Sequence, residues 1–91
     1  MKPGRRLVED GAAACSDADL LAILIGSGSP GRPAEVIAAE ILDRHGTLSG
    51  LMGRSLGELA AVRGVGPVKA IRIAAAYELA RRLVKDLEQN G

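Results

Sequence analysis

The residues best placed to do chemistry are Gly64-Val65-Gly66-Pro67, a two-glycine turn between two helix-forming runs. Glycine lacks the side chain that blocks positive φ, so the chain can reverse tightly there and a phosphate can approach the backbone. Pro67 suits the first position of the next helix, where no amide hydrogen is needed. Such a turn aims free N–H groups and the positive end of a helix at one point in solvent. That is an anion site, and the expected large anion is a nucleic-acid backbone. Lys69 and Arg72 lie one turn apart near the helix start and are expected to extend toward a bound phosphate. The amides expected to face it are those of Gly64, Gly66, Val68 and Lys69, with Val65 anchoring the turn. Arg32, Arg54 and Arg63 are possible auxiliary contacts, although the first two also read as ordinary surface arginines.

The pattern Leu59-x-x-Val62-x-Gly64-Val65-Gly66-x-x-x-Ala70-x-x-Ile73-Ala74 resembles the helix-hairpin-helix motif of DNA repair and recombination proteins. The resemblance implies a grip on the DNA backbone without sequence readout. It also implies a monovalent cation, K+ or Na+, on the carbonyls of Ala60, Val62 and Val65. A second resemblance covers nearly the whole chain. Arg5-Arg6-Leu7, Gly11 with the alanines after it, Ser16-Asp17-Ala18-Asp19-Leu20-Leu21-Ala22-Ile23-Leu24-Ile25-Gly26-Ser27-Gly28 and Gly46-Thr47-Leu48 occur in order before the hairpin. Together they look like the N-terminal region of the RadC family of bacterial "DNA repair" proteins. Members of that family continue into a metal-binding JAMM-type domain, which needs two histidines, an aspartate and a glutamate. This sequence has one histidine, so the resemblance implies the N-terminal module alone.

Catalysis is not expected of these residues. Glycosylases with this hairpin place a lysine two residues after the second glycine, where this chain has Val68, with Lys69 one residue late. They also carry an aspartate in a loop some way beyond, whereas Asp86 falls in an uninterrupted helical pattern. Asp17 and Asp19 are two apart on a helix and do not converge on a metal. His45 is expected to cap carbonyls at a helix end. Cys15 reads as a small buried filler.

Composition bounds the rest. Ninety-one residues make one small domain. Hydrophobic content is 47%, but Tyr77 is the sole aromatic, so the core must be Leu, Ile, Val and Ala. Alanine-rich sequence with few β-branched runs favours closely packed helices. Without aromatics there are no base-stacking platforms, and no Asn, Gln or Arg cluster suits base edges. Duplex or branched DNA is therefore the expected ligand. No apolar run approaches a membrane span, the start lacks a signal-peptide core, and a single cysteine fits a reducing cytoplasm.

Net charge is +1 but unevenly spread. Residues 1–53 hold five basic and seven acidic residues, while residues 54–85 hold seven basic against Glu58 and Glu78. The basic half contains the hairpin, as polyanion contact requires; a helical surface must also carry charge somewhere.

The elements that must position the turn follow from caps and glycines. A first helix is expected from Arg5 to Asp10, a second from a Ser16–Asp19 capping box to Ile25, and a third from Pro33 to His45, ended by Gly46 in αL. A single turn runs through Leu51 and Met52, Ser55 with Glu58 caps the next helix, and the last runs from Pro67 to about Leu87. Leu21–Gly28 aligns faintly with Leu59–Gly66, but Ser27 stands where Val65 would anchor the turn, giving a degenerate first hairpin or a chance repeat.

The expected fold is all-α. It has five or six helices in one domain: an N-terminal helix and connector (1–15), a degenerate hairpin unit (16–46), a hairpin unit (47–87) and a frayed tail (88–91). On the last helix Ile73, Ala76, Tyr77, Ala80, Leu83, Val84 and Leu87 share one face, and Ile71, Ala75 and Leu79 another. A buried spine is the favoured reading; the other is that the second face docks a partner or another copy of the chain. Arg81, Arg82 and Lys85 read as cations favourable to the helix's negative end.

Overall fold

A computed structural model describes residues 2–90. It is all-α, with five α-helices among the described residues: α1 (Pro3–Asp10), α2 (Asp17–Ile25), α3 (Ala34–His45), α4 (Leu56–Ala60) and α5 (Gly66–Asn90). Single 3-10 turns at Ala12–Ala14 and Ser49–Leu51 join them.

Local chemistry sets most boundaries. Ser16 Oγ accepts the Asp19 amide at 3.1 Å, and Asp19 accepts the Ser16 amide at 3.0 Å. Arg6 adds an ion pair to the same Asp19 at 3.1 Å, fastening α1 to the start of α2. The Ser16 amide, more than any other group, holds the Asp19 carboxyl below its usual range. α1 begins two residues earlier than Arg5, because Pro3 supplies a pre-set φ at the first turn. Pro33 stands just outside α3 as its cap, with extended ψ, and its carbonyl accepts the Val36 and Ile37 amides. Gly46 ends α3 at φ 87° and ψ −58°, so its positive φ holds while the αL ψ does not.

The core is aliphatic and alanine-rich. Leu21, Ala22 and Ile25 of α2 meet Ala34, Ile37, Ala38 and Ile41 of α3, and Leu51, Leu59, Val62, Val65, Ala70 and Ile73 complete it. Burying each larger side chain contributes roughly 1.5–3 kcal/mol. The alanines let the α2–α3 pair and the hairpin unit approach closely.

Four expectations are corrected by the structure. α5 is not a buried spine: only Ala70 and Ile73 are buried, and Leu79, Leu83, Val84 and Leu87 are 54–69% exposed. The other helices are too short to flank its full length, so they cover only its first half. α5 is helical through Asn90, three residues past the expected end at Leu87; Gly91, like Met1, lies outside the described residues. His45 Nε2 is buried with no partner among the described residues, so that nitrogen caps no carbonyl. Cys15 is half-buried rather than a core filler.

Candidate nucleic-acid interface

The hairpin is assembled from its caps inward. Ser55 and Glu58 form a reciprocal capping box, each hydrogen bond 3.1 Å long, which launches α4. The Ser55 amide, then Arg54, hold the Glu58 carboxyl below its ordinary value. α4 lasts only to Ala60, and the chain turns over a bond from the Val65 amide to the Val62 carbonyl at 3.1 Å. Leu59, Val62 and Val65 are each at most 2% exposed, so three apolar anchors fix the turn to the core.

The two glycines do different work. Gly64 has φ 94°, and a Cβ there would lie 2.7 Å from Ile37 Cδ1 and 3.0 Å from Ser29 Oγ. It is the point where the hairpin presses on α3 and the first loop. Gly66 has φ 64°, and nothing lies within 4 Å of where its Cβ would be. That open space is on the outer side of the turn, where Gly66, Pro67 and Val68 are all exposed. The Gly64, Gly66 and Val68 amides make no hydrogen bond to another backbone group among the described residues. Pro67 has no amide hydrogen. The N-terminus of α5 therefore presents donors and its positive dipole end to solvent.

The cations are placed less simply than their spacing implies. Lys69 folds back so that its ammonium donates to the Gly64 carbonyl at 3.0 Å. Arg72 donates from Nη1 to the Ile25 carbonyl at 3.2 Å, capping the negative end of α2. Each keeps further N–H groups, but neither is a free arm.

Arg32 is a cross-strut: its Nε donates to the Arg63 carbonyl at 3.2 Å, and its Nη2 pairs with Glu40 at 2.6 Å. Its side chain is only 18% exposed. Arg54 donates to the Gly50 carbonyl at 2.7 Å and pairs with Glu58 at 3.2 Å. Arg63 is exposed on the turn itself. No sequence signal announced the struts of Arg32 and Arg72, because both acceptors are carbonyls distant in the chain.

The carbonyls suggested for K+ or Na+ are those of Ala60, Val62 and Val65. Val62 already accepts the Val65 amide, and the Lys69 ammonium lies against the adjacent Gly64 carbonyl. A second cation there would meet a fixed positive charge. Among the described residues no cluster of His, Cys, Asp and Glu could hold a metal ion.

The first hairpin differs from the second where it matters. Ser27 is exposed, whereas Val65 is buried, and the Ser29–Arg32 turn lengthens the loop. A Cβ on Gly28 would lie 2.2 Å from the Arg32 carbonyl oxygen, so that glycine serves the loop's own close contact.

A family model described as UPF0758 N-terminal matches residues 1–71, through the hairpin and into α5. The chain belongs to the UPF0758 family. This is the RadC-like family. A UPF0758 protein of Xanthomonas campestris pv. campestris (strain 8004) is 46% identical over 89 residues, covering 97% of this chain and 40% of the relative. One from Burkholderia cenocepacia (strain HI2424) is 40% identical over 83 residues, covering 91% of this chain and 32% of the relative. One from Methylibium petroleiphilum is 43% identical over 82 residues, covering 90% and 37%. The chain thus spans about two fifths or less of these UPF0758 relatives. No solved structure matches it.

Proposed function

We propose that this UPF0758 module binds DNA through its sugar–phosphate backbone, without sequence preference. The observation that carries the reading is the outward set of Gly66 and Val68 amides at the start of α5, beside an anchored Val65 and the Lys69 ammonium. Phosphate oxygens are the natural acceptors for donors arranged in this way. Gly64 and Gly66 shape the site, and Lys69, Arg72 and the exposed Arg63 supply charge. The ion suggested for the hairpin carbonyls has no part in this reading. In a longer protein the module would place a JAMM-type domain on duplex or branched DNA, as a DNA repair role in a bacterial cytoplasm would require. The module itself performs no catalysis on this reading. No helix among the described residues is long and apolar enough to cross a membrane.

One hairpin neutralising two to four phosphates gives a weak, salt-sensitive complex of roughly 10⁻⁴–10⁻⁶ M. NMR titration with short duplex and branched DNA at two ionic strengths tests it. Shifts confined to residues 63–72 support the reading, and their absence at low salt refutes it.

One observation favours a rival, a protein-interaction or oligomerisation module without direct DNA contact. Ile71 and Leu79 are 54% and 69% exposed, with Ala75 exposed between them. On that reading the stripe is covered by a partner and the hairpin is only a packing unit.

A further inference from the structure

The distal half of α5 has no partner in the fold. Every residue from Leu79 to Asn90 is exposed. Yet this half is amphipathic. At 100° per residue, Leu79, Ala80, Leu83, Val84 and Leu87 fall within an arc of about 140°. That arc is wide enough to face a core. Ile73, Ala76, Ala80, Leu83 and Leu87 are spaced three and four apart in alternation, the period of a two-helix seam. The seam starts inside the domain at Ile73 and continues into solvent.

We infer that this stripe is covered by the same stripe of a second copy, with the two α5 helices antiparallel and crossing near Leu83 and Val84. Two observations select that occupant. The first is charge order. Along the exposed half, Arg81, Arg82 and Lys85 come first, and Asp86 and Glu88 come last. Apposed antiparallel about residue 84, Arg82 lies level with Asp86 of the second copy, and Arg81 within a residue of its Glu88. Both pairs occur twice by symmetry. A parallel pair would set basic against basic and acidic against acidic, so the helix is complementary to its own reverse. Glu78 already holds Arg81 and Arg82 at 2.7 Å, and each guanidinium keeps N–H groups to spare.

The second observation is extent. A specific interface needs about 500 Å² from each partner. Four aliphatic side chains that are 54–69% exposed, with Ala76 and Ala80 beside them, supply an area of that order. The helix emerges from the domain after Tyr77, its last side chain packed on the core. An antiparallel pair crossing near residue 84 sets the two folded bodies at opposite ends. The inference does not rest on DNA contact.

Sedimentation equilibrium from micromolar to submillimolar concentration tests it on this 91-residue chain. The expected result is a concentration-dependent doubling of the 9.4 kDa monomer mass. Leu83→Glu should hold the mass at monomer while leaving helical circular dichroism intact, because Leu83 is 59% exposed and lies beyond the buried core. A wild-type chain that stays monomeric throughout overturns the proposal, as does a dimer untouched by Leu83→Glu. Orientation is read in a Cys15→Ser background. Leu83→Cys should form an intermolecular disulfide on mild oxidation, whereas two copies of Ala76→Cys would be about 24 Å apart and should not. Equal cross-linking of both variants overturns the antiparallel arrangement.

Discussion

The Lys69 ammonium donates to the Gly64 carbonyl at 3.0 Å, across the hairpin that both residues help to form. A side chain whose spacing suggests a free phosphate-seeking arm is a brace as well. It neutralises the carbonyl side of the turn and leaves the amide side as the outward face. Its two remaining N–H groups stay beside that face.

Lys69→Ala should therefore act in two ways. Loss of one phosphate-facing charge should lower the salt slope of DNA binding by about 1 and the affinity about 3- to 10-fold at low salt. Loss of the brace should broaden the amide resonances of residues 64–66. Fluorescence anisotropy over a salt series reads the first effect, and relaxation measurements on the hairpin read the second. An unchanged slope would mean that Lys69 is a brace only.

The two glycines should separate stability from binding. Gly64→Ala meets both a positive φ, costing about 1–2 kcal/mol, and overpacking against the fully buried Ile37, costing about 1–3 kcal/mol. Gly66→Ala meets only the first penalty, because open space surrounds its Cβ position. Urea melts should rank Gly64→Ala as clearly the less stable. DNA binding should nevertheless fall in Gly66→Ala under conditions where it is fully folded, since its methyl group occupies the phosphate's approach.

Arg32 distinguishes a strut from a contact. Its guanidinium ties the Arg63 carbonyl to Glu40 from a largely buried position. Arg32→Ala should destabilise the fold by about 1–2 kcal/mol through lost charge-assisted hydrogen bonds. The salt slope of DNA binding should not change. A stable variant with a lowered slope would reassign Arg32 to the DNA surface.

Acid should loosen two helix starts and the Glu78 ion pairs within α5. Asp19, Glu58 and Glu78 all titrate below their ordinary values in the folded chain. The Arg81 hydrogen bonds, then that of Arg82, hold the Glu78 carboxyl down to about 2. A depressed folded value means that the stabilisation is complete above the unfolded value and lost as pH falls through the folded one. The melting temperature should hold from pH 7 to about 5, then fall between the ordinary carboxylate range and pH 2. Thermal melts monitored by circular dichroism check this. Ser55→Ala should remove part of the acid dependence, because the Ser55 side chain and its cap geometry hold Glu58 in place.

The features legible in the sequence were those decided within a few residues. Ser16 with Asp19 and Ser55 with Glu58 are capping boxes at a spacing of three, and both form. Val65 between two glycines had to be buried if the turn was a hairpin, and it is 2% exposed. The family was legible too, because its residues recur in order along most of the chain. The partners of Arg32 and Arg72 were not legible, since each is a backbone carbonyl on another element, and carbonyls carry no sequence signature. The fate of α5 was hidden for a related reason. Helical periodicity shows that a face is apolar, but what covers it depends on the lengths of the neighbouring helices. Here α4 is five residues long and α3 twelve, against twenty-five for α5.

The most direct measurement is a paired NMR titration of the wild-type chain and Gly66→Val with one short DNA duplex, at low and at physiological ionic strength. Wild type should show saturable shifts centred on Gly64, Gly66, Val68 and Lys69 that weaken as salt rises, while the valine variant, checked for intact core resonances, should show almost none. Identical shifts in both proteins, or wild-type shifts gathered at α1 and α3 instead of the turn, would contradict backbone recognition by the hairpin amides.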